Sequence, residues 1–169
     1  ACLLLLGVAL IFVSEGAEAE LSLNPVWEYE TDGNVEASAI SADGNYMVVG
    51  SNDDYVYLFH RNSSTPLWSY ESYGDVSTVA ISSDGSYIVA GDYSNDGRIY
   101  LFERDSSTPL WTYNTEDDCN NCGNVISVAI SDDGEYIVGG GNSRYVYLFD
   151  KDSNTPVWKY YTSGDGITA

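Results

Sequence analysis

A motif of proline, one apolar residue and tryptophan occurs four times along this chain of 169 residues. Its tryptophans lie 41, 43 and 47 residues apart, and the motif contains every proline and every tryptophan of the sequence. A period of this length is typical of proteins built from repeated supersecondary units, because one such unit cannot bury its apolar face alone and must stack on a neighbour. The four copies are Pro25-Val26-Trp27, Pro66-Leu67-Trp68, Pro109-Leu110-Trp111 and Pro156-Val157-Trp158.

Each repeat divides into four short apolar segments, which predict four β-strands. An Asp-Gly pair separates the first two segments, and this pair is a strong hairpin signal because glycine adopts positive φ without steric cost. The proline opens the fourth segment, which fits an outer strand that needs no backbone donor there. Structural roles are therefore expected for Asp43, Gly44, Asp84, Gly85, Asp133 and Gly134.

The middle segments are apolar at consecutive positions, as in Tyr145–Phe149. A strand with one face in water would alternate, so these sheets are expected to be covered on both faces. Four-stranded antiparallel units stacked in this way form a β-propeller, with the tryptophans as packing wedges between blades. We therefore predict an all-β chain whose ring is incomplete, with blades at about 35–71, 76–114 and 125–161, an extra outer strand at 25–30, and the start of a further blade at 164–169.

The segment Val79–Gly91, which continues to Arg98–Glu103, resembles a WD repeat, and the resemblance recurs three times over residues 25–169. The position of that family's signature dipeptide is held by Phe59-His60, Phe102-Glu103 and Phe149-Asp150. The Pro-x-Trp-x-Tyr element also resembles the tryptophan-docking element of quinoprotein-type (PQQ-like) propeller repeats. Both resemblances imply the same propeller architecture, and neither implies one particular activity.

The N-terminal segment has the pattern of a secretory signal peptide. Leu3–Val13 is an unbroken apolar run that is too short to span a bilayer as a helix, which needs about 20 residues. Ala17-Glu18-Ala19 follows it with a small-residue cleavage pattern. Residues 1–19 are therefore predicted to be removed, so that residues 20–169 lie outside the cytoplasm, at the cell surface or in a periplasm, without a membrane span. The alternative is an N-terminal anchor helix, which predicts the same location.

The chain carries a formal net charge of −20 and contains only six lysines and arginines. Such a surface repels the phosphates of nucleic acids and anionic lipids. The charge therefore argues against nucleic acid as a partner and favours a cationic protein or cell-surface ligand. High solubility alone is the alternative explanation of the same charge.

The repeats differ in length only at two kinds of loop. The loop between the second and third strands is two residues longer in the second repeat, and the loop that leads into the third repeat is six residues longer. Adjacent strands alternate in direction, so both kinds emerge at one end of the propeller, where insertions commonly mark the binding side. These loops are strongly acidic, with Arg144 as their one basic residue. Their acidic residues are Asp32, Asp53, Asp54, Asp75, Asp92, Asp96, Glu116, Asp117, Asp118 and Asp165. Neutral variation of solvated loops is the alternative.

The candidate binding residues within these loops are Asp92, Asn95, Asp96, Glu116, Asp117 and Asp118. Asp92 and Asp96 also suit Ca²⁺, the one cofactor that the sequence suggests, with ordinary acidic turns as the alternative. Cys119 and Cys122 predict a local disulfide that staples the longer insertion, and a redox-active pair is the alternative. A zinc site needs about four ligands, and this loop offers two cysteines.

The sequence contains no arrangement of nucleophile and base, and its one histidine, His60, lies away from these loops. The predicted function is therefore an extracytoplasmic scaffold, not an enzyme, that binds a protein or surface ligand through its acidic loops. Two alternatives stay open: a piece of a propeller enzyme such as a quinone-dependent dehydrogenase, and a structural unit of a cell-surface assembly.

Overall fold

The computed structural model describes residues 25–115 and 123–162, which form three four-stranded antiparallel sheets. Within each sheet the strands lie side by side in chain order, so the predicted all-β fold of four-stranded antiparallel blades is confirmed. The strands are β1 (Val35–Ile40), β2 (Tyr46–Ser51), β3 (Tyr55–His60) and β4 (Trp68–Glu71); β5 (Asp75–Ile81), β6 (Tyr87–Tyr93), β7 (Arg98–Glu103) and β8 (Trp111–Asn114); and β9 (Val125–Ile130), β10 (Tyr136–Gly141), β11 (Tyr145–Asp150) and β12 (Trp158–Tyr161).

Several predicted features lie outside the described residues. These are the signal peptide at 1–19, the acids Glu116, Asp117 and Asp118, the cysteines Cys119 and Cys122, and the segment 164–169. Across 25–115 and 123–162, no helix has the length and apolar character needed to cross a membrane.

The first strand of each sheet lies innermost, and β5 packs between β1 and β9. The turns that follow these strands are joined by backbone hydrogen bonds from sheet to sheet. The Ala42 N–H donates to the Ser83 carbonyl at 2.9 Å, and the Ser83 N–H donates to the Asp132 carbonyl at 3.0 Å. The three sheets are therefore tied together at this end, and over the described residues they form an open stack, not a closed ring.

The outer strands send their tryptophans onto the next sheet. Trp68 of β4 packs on Phe102 of β7 with ring centroids 5.3 Å apart, and its indole N–H donates to the Arg104 carbonyl at 2.7 Å. Trp111 of β8 makes both contacts on the third sheet, with a centroid distance of 5.1 Å and a hydrogen bond of 2.7 Å. Each of these indoles fills the space between two sheets and satisfies its own donor there.

Residues 25–30 do not form the outer strand that the sequence predicted. A strand needs a neighbour whose backbone groups pair with its own, and the strands of the first sheet pair only with one another. Trp27 nevertheless packs on Phe59 with ring centroids 5.5 Å apart, and its indole N–H donates to the Arg61 carbonyl. This segment therefore makes the side-chain contacts of an outer strand without its backbone ladder.

The middle sheet is covered on both faces. Ile99 to Phe102 of β7 are fully buried at consecutive positions, and so are Ile88 to Ala90 of β6. At the two ends of the stack one face is open, where Ile40 of β1 is 59% exposed and Val138 of β10 is 36% exposed. Burial of both faces thus depends on a neighbouring sheet on each side, as the consecutive apolar positions require.

The three turns between first and second strands have one geometry. In each turn a serine hydroxyl donates to the aspartate carboxylate two residues on, and the glycine has a φ of 70°, 71° or 77°. The carboxylate also accepts the backbone N–H two residues further along, which closes the turn. The residues are Ser41, Asp43 and Gly44; Ser82, Asp84 and Gly85; and Ser131, Asp133 and Gly134.

These turns predict a loss of stability in acid. The pKa of Asp43, Asp84 and Asp133 lies below the ordinary value of 3.8, chiefly because serine hydroxyls donate to the carboxylates. A carboxyl whose pKa is lowered in the folded state stabilises the fold above its ordinary pKa, and this contribution is lost as the pH falls through the folded value. We expect the melting temperature to fall below about pH 4 and Asp84→Asn to make the fall shallower. Thermal unfolding followed by circular dichroism tests this, and a melting temperature that does not change in acid contradicts it.

Candidate binding cleft

The variable loops emerge at one end of the sheets, which we call the loop face. It consists of residues 31–34, 51–54, 72–75, 93–97, 123–124 and 141–144. The opposite end, the turn face, consists of residues 41–45, 61–67, 82–86, 104–110, 131–135 and 151–157. Neighbouring strands run in opposite directions, so successive loops alternate between these two faces. A group on the loop face is therefore separated from a group on the turn face by the length of a strand.

A cleft of about 660 Å³ opens on the loop face. Two tyrosines line it with large exposed fractions, 68% for Tyr73 and 51% for Tyr93. Asp75 and Asn95 are exposed beside them. The cleft therefore combines aromatic rings with carboxylates and amides, and its full lining is Tyr73, Gly74, Asp75, Tyr93, Ser94, Asn95, Asp96 and Asn124.

Two glycines fix the residues on either side of 116–122 beside this cleft. A Cβ at Gly97 would overlap with the carbonyl of Gly123, so the two backbones pass too closely for any side chain. The Thr115 hydroxyl lies between the carbonyls of both glycines and shares its one proton with them, and the Gly123 N–H donates to the Asn95 carbonyl. The residues that flank 116–122 on both sides are thus fixed at the rim of the cleft.

Arg98, the first residue of β7, adds a cation to the wall of the cleft. Its guanidinium lies 3.5 Å from the centre of the Tyr73 ring, and its Nη2 lies 3.2 Å from the Asp96 carboxylate. The Arg98 side chain is 16% exposed, whereas that of Asp96 is 45% exposed. Arg98 is thus a second basic residue at these loops, where the sequence count gave Arg144 alone. The pair of Tyr73 and Asp96 thus already binds one guanidinium within the chain.

Asp92 lies inside the molecule, not on the binding surface where the sequence placed it. It is fully buried, and its Oδ2 accepts a hydrogen bond from the Tyr100 hydroxyl at 2.7 Å. Its Oδ1 accepts the Ser94 hydroxyl at 2.9 Å and the Arg98 backbone N–H at 2.8 Å. Burial, and then the Asp92 charge, raises the pKa of Tyr100, which keeps its proton as the donor. Asp92 therefore shapes the loop, and of the two residues suggested for Ca²⁺ only Asp96 lies at the surface.

A hydrogen bond from a tyrosine hydroxyl of the third strand to a side chain at the preceding loop also occurs in the other two sheets, which supports a structural role for Asp92. The Tyr57 hydroxyl donates to Asp53 at 2.9 Å, and the Tyr147 hydroxyl donates to the Ser143 hydroxyl at 3.2 Å. In the third sheet the acceptor is a neutral serine, so the hydrogen bond of this tyrosine does not itself require a charged acceptor. Within residues 25–115 and 123–162, no three His, Cys, Asp or Glu side chains converge as a metal site.

The pKa of Asp54 reports the electrostatic potential of the loop face. Partial burial raises it, and the charges of Asp75, Asp53 and Glu71 raise it further. A carboxyl whose pKa is raised by neighbouring carboxylates lies in a negative potential. A cation on the loop face would therefore lower the pKa of Asp54.

Asn95 and Asp96 are the predicted binding residues that the structure brings into the cleft, whereas Tyr73 and Tyr93 were missed. A signal for Tyr73 was present in the repeat. The segment Ser72-Tyr73-Gly74 corresponds to Thr31-Asp32-Gly33 in the preceding repeat, where the glycine and the hydroxyl residue are kept and an acid occupies the middle position. The aromatic residue replaces a solvated acid in this repeat alone, which indicates that it serves a function specific to this repeat.

Three segments of the chain match the family model described as WD domain, G-beta repeat, at residues 23–60, 64–103 and 108–150. Together they cover more than half of the sequence. No curated protein sequence matches the chain. Two similar solved structures are titled "Crystal structure of RRP9 WD40 repeats" and "Structure of U3-55K", each with a TM-score of 0.68 and 19% sequence identity over 81% of this chain. The chain spans 41% and 42% of their lengths, and at this identity the likeness shows the fold alone.

Proposed function

Since the chain belongs to the WD40 repeat family, we propose that it is a binding scaffold outside the cytoplasm and that its cleft receives a cationic segment of a partner protein. The observation that carries the proposal is the lining of the cleft, where exposed tyrosines stand beside the carboxylates of Asp75 and Asp96. Aromatic rings attract cations through their faces, and carboxylates add charge-assisted hydrogen bonds.

The molecule contains an example of this recognition. Arg98 is bound between the Tyr73 ring and the Asp96 carboxylate. Tyr93 lies in the same cleft, and within the described residues its ring has no cation or aromatic partner. Tyr93 and Asp75 therefore offer a second, unoccupied pair of a ring and a carboxylate for an arginine or lysine of the partner.

Charge and location support the same proposal. A net charge of −20 draws a basic partner toward the chain over long range and raises its rate of association. The apolar run Leu3–Val13, followed by Ala17-Glu18-Ala19, supports export from the cytoplasm. An exported scaffold meets its partners at the cell surface or in the surrounding medium.

Removal of two carboxylates from the cleft is expected to weaken binding of a basic peptide. The probe is a fluorescently labelled peptide of alternating arginine and glycine, and its binding is measured by fluorescence anisotropy. Two partly exposed charge pairs contribute about 0.7 kcal/mol each, so Asp75→Asn with Asp96→Asn should raise the Kd roughly tenfold. Added salt should weaken binding to the wild-type chain as well.

The matched control removes the same charge from the turn face. Glu103→Gln, at the last position of β7 beside the turn face, with Asp132→Asn on the turn face, neutralises two exposed acids at that end of the strands and should leave the Kd within about twofold of the wild-type value. Equal losses in the two double variants would mean that net charge alone attracts the peptide, and they would contradict a site in the cleft. Tyr93→Ala removes the aromatic ring and keeps the carboxylates, so it measures the contribution of the ring alone, and it should also weaken binding.

A further inference from the structure

The turn between β3 and β4 carries the sequence Asn62-Ser63-Ser64 on the turn face. An asparagine followed two residues later by serine or threonine is the acceptor sequence for N-linked glycosylation, provided that no proline stands between them. This is the one such sequence in the 169 residues. We propose that Asn62 is N-glycosylated. The proposal rests on the extracytoplasmic location proposed above, because only exported chains meet the transferase.

The geometry of the turn leaves the acceptor groups free. Asn62 is exposed in a tight turn that the Ser63 N–H closes by donating to the His60 carbonyl at 2.9 Å. The Ser63 hydroxyl is occupied by the backbone of Thr65, since it donates to that carbonyl and accepts that N–H. Within the described residues, the Asn62 amide and the Ser64 hydroxyl have no hydrogen-bond partner. These are the two side-chain groups that define the acceptor sequence.

The other two turns of this kind show that asparagine is a departure from the repeat. Asp105 and Asp152 occupy the equivalent position and form ion pairs with the preceding residues Arg104 and Lys151, at 3.1 and 3.2 Å. In the first sheet Asn62 follows Arg61 and cannot form such a pair. At this position an ion pair is thus replaced by an amide that forms no hydrogen bond with the residues that the structure describes.

The fold leaves room for a glycan at this point. The backbone of the turn is held in place by Trp27, whose indole N–H donates to the Arg61 carbonyl at 2.7 Å. Asn62 projects from the turn face, whereas the cleft opens on the loop face at the other end of the strands. A sugar chain here would therefore cover the turn face and leave the cleft accessible.

The chemistry is a group transfer with no change of oxidation state. The co-reactant is an oligosaccharide joined through its anomeric carbon to a lipid phosphate, and the catalyst is a membrane-bound transferase. The Asn62 Nδ2 forms a bond to the anomeric carbon while the bond from that carbon to the phosphate oxygen breaks. The lipid phosphate leaves with the electron pair, and the proton lost from Nδ2 passes to a base of the transferase.

The test is translation of the full chain in the presence of microsomal membranes, with a host signal peptide in place of residues 1–19. Intact mass and electrophoresis, before and after an amidase that removes N-glycans, report the modification. We expect a glycan on the wild-type chain, its release with conversion of Asn62 to aspartate, and no glycan on Asn62→Gln or Ser64→Ala. Ser63→Ala changes the tolerant middle position and should keep the glycan.

Asp105→Asn provides the positive control, because it places Asn-Ser-Ser in the equivalent turn of the second sheet. A chain that enters the membranes, and is protected there from protease, but carries no sugar at Asn62 overturns the proposal, whether or not Asp105→Asn is modified. A parallel translation with residues 1–19 in place, behind an added initiator methionine, tests the location. Failure of import in that arm alone contradicts the assignment of residues 1–19 as a signal peptide, and the first arm still decides the modification of Asn62.

Discussion

Replacement of Trp68 by alanine is expected to destabilise the folded chain by about 3 kcal/mol, near the lower end for loss of a large aromatic side chain because the indole is half-buried. The indole packs on Phe102 and donates to the Arg104 carbonyl, so alanine leaves a gap between the first two sheets and one carbonyl without its donor. A domain of this size is stable by only about 5–15 kcal/mol, so the loss is a large fraction of the total. Urea unfolding followed by circular dichroism measures it.

Trp158 is the matched control for this substitution. It occupies the same position in the third repeat, but its side chain is 46% exposed, and within residues 25–115 and 123–162 its indole has no hydrogen-bond or ring partner. Trp158→Ala should therefore cost less than about 1 kcal/mol. Trp68→Phe keeps much of the packing and loses the indole donor, so its cost of about 1 kcal/mol should fall between the two. Equal losses for Trp68→Ala and Trp158→Ala would contradict a role for the indole between sheets.

The features that the sequence predicted well are those set by local signals. Consecutive apolar residues place the middle strands, and an Asp-Gly pair marks each hairpin, as at Asp84 and Gly85. Both signals are short in range, and the repeat presents each of them three times, so each repeat forms one four-stranded antiparallel sheet as predicted. The outer strand expected at 25–30 fails because a ladder also needs a neighbouring strand, which no local pattern supplies.

The binding residues were harder to predict because burial of a loop side chain depends on distant partners. Asp92 and Asp96 stand four residues apart in one acidic loop and look equivalent in sequence. Tyr100 draws the Asp92 carboxylate inside, whereas Asp96 stays at the surface beside Arg98. The contact of Gly97 with Gly123 is equally invisible, since each glycine resembles an ordinary turn residue until the other is placed against it.

Gly91 shows the same dependence on a distant residue and leads to the second large prediction. A Cβ at Gly91 of β6 would lie 2.5 Å from Val125 Cγ1 and 2.8 Å from Thr78 Cγ2. Its backbone φ is not in the left-handed region, so alanine is excluded by space alone. The χ1 angle of a β-branched valine is restricted, so its methyl group does not turn aside as easily as the end of a longer side chain. We expect Gly91→Ala to destabilise the chain by about 1–3 kcal/mol through separation of the second and third sheets, measured by urea unfolding.

A second substitution isolates this contact from other effects of the added methyl group. Val125→Ala alone leaves a gap and should be destabilising, but it also removes Val125 Cγ1, the nearest of the atoms that the methyl group of Gly91→Ala would meet. The double variant should therefore be more stable than the sum of the single losses by about 1 kcal/mol or more. Gly139→Ala is the matched control, because a Cβ there would meet Ile99 Cδ1, the far end of a flexible side chain that can rotate away. Its cost should be smaller than that of Gly91→Ala. Strictly additive losses in the double variant would mean that the valine does not limit the approach of the sheets, and that the glycine serves the β6 backbone instead.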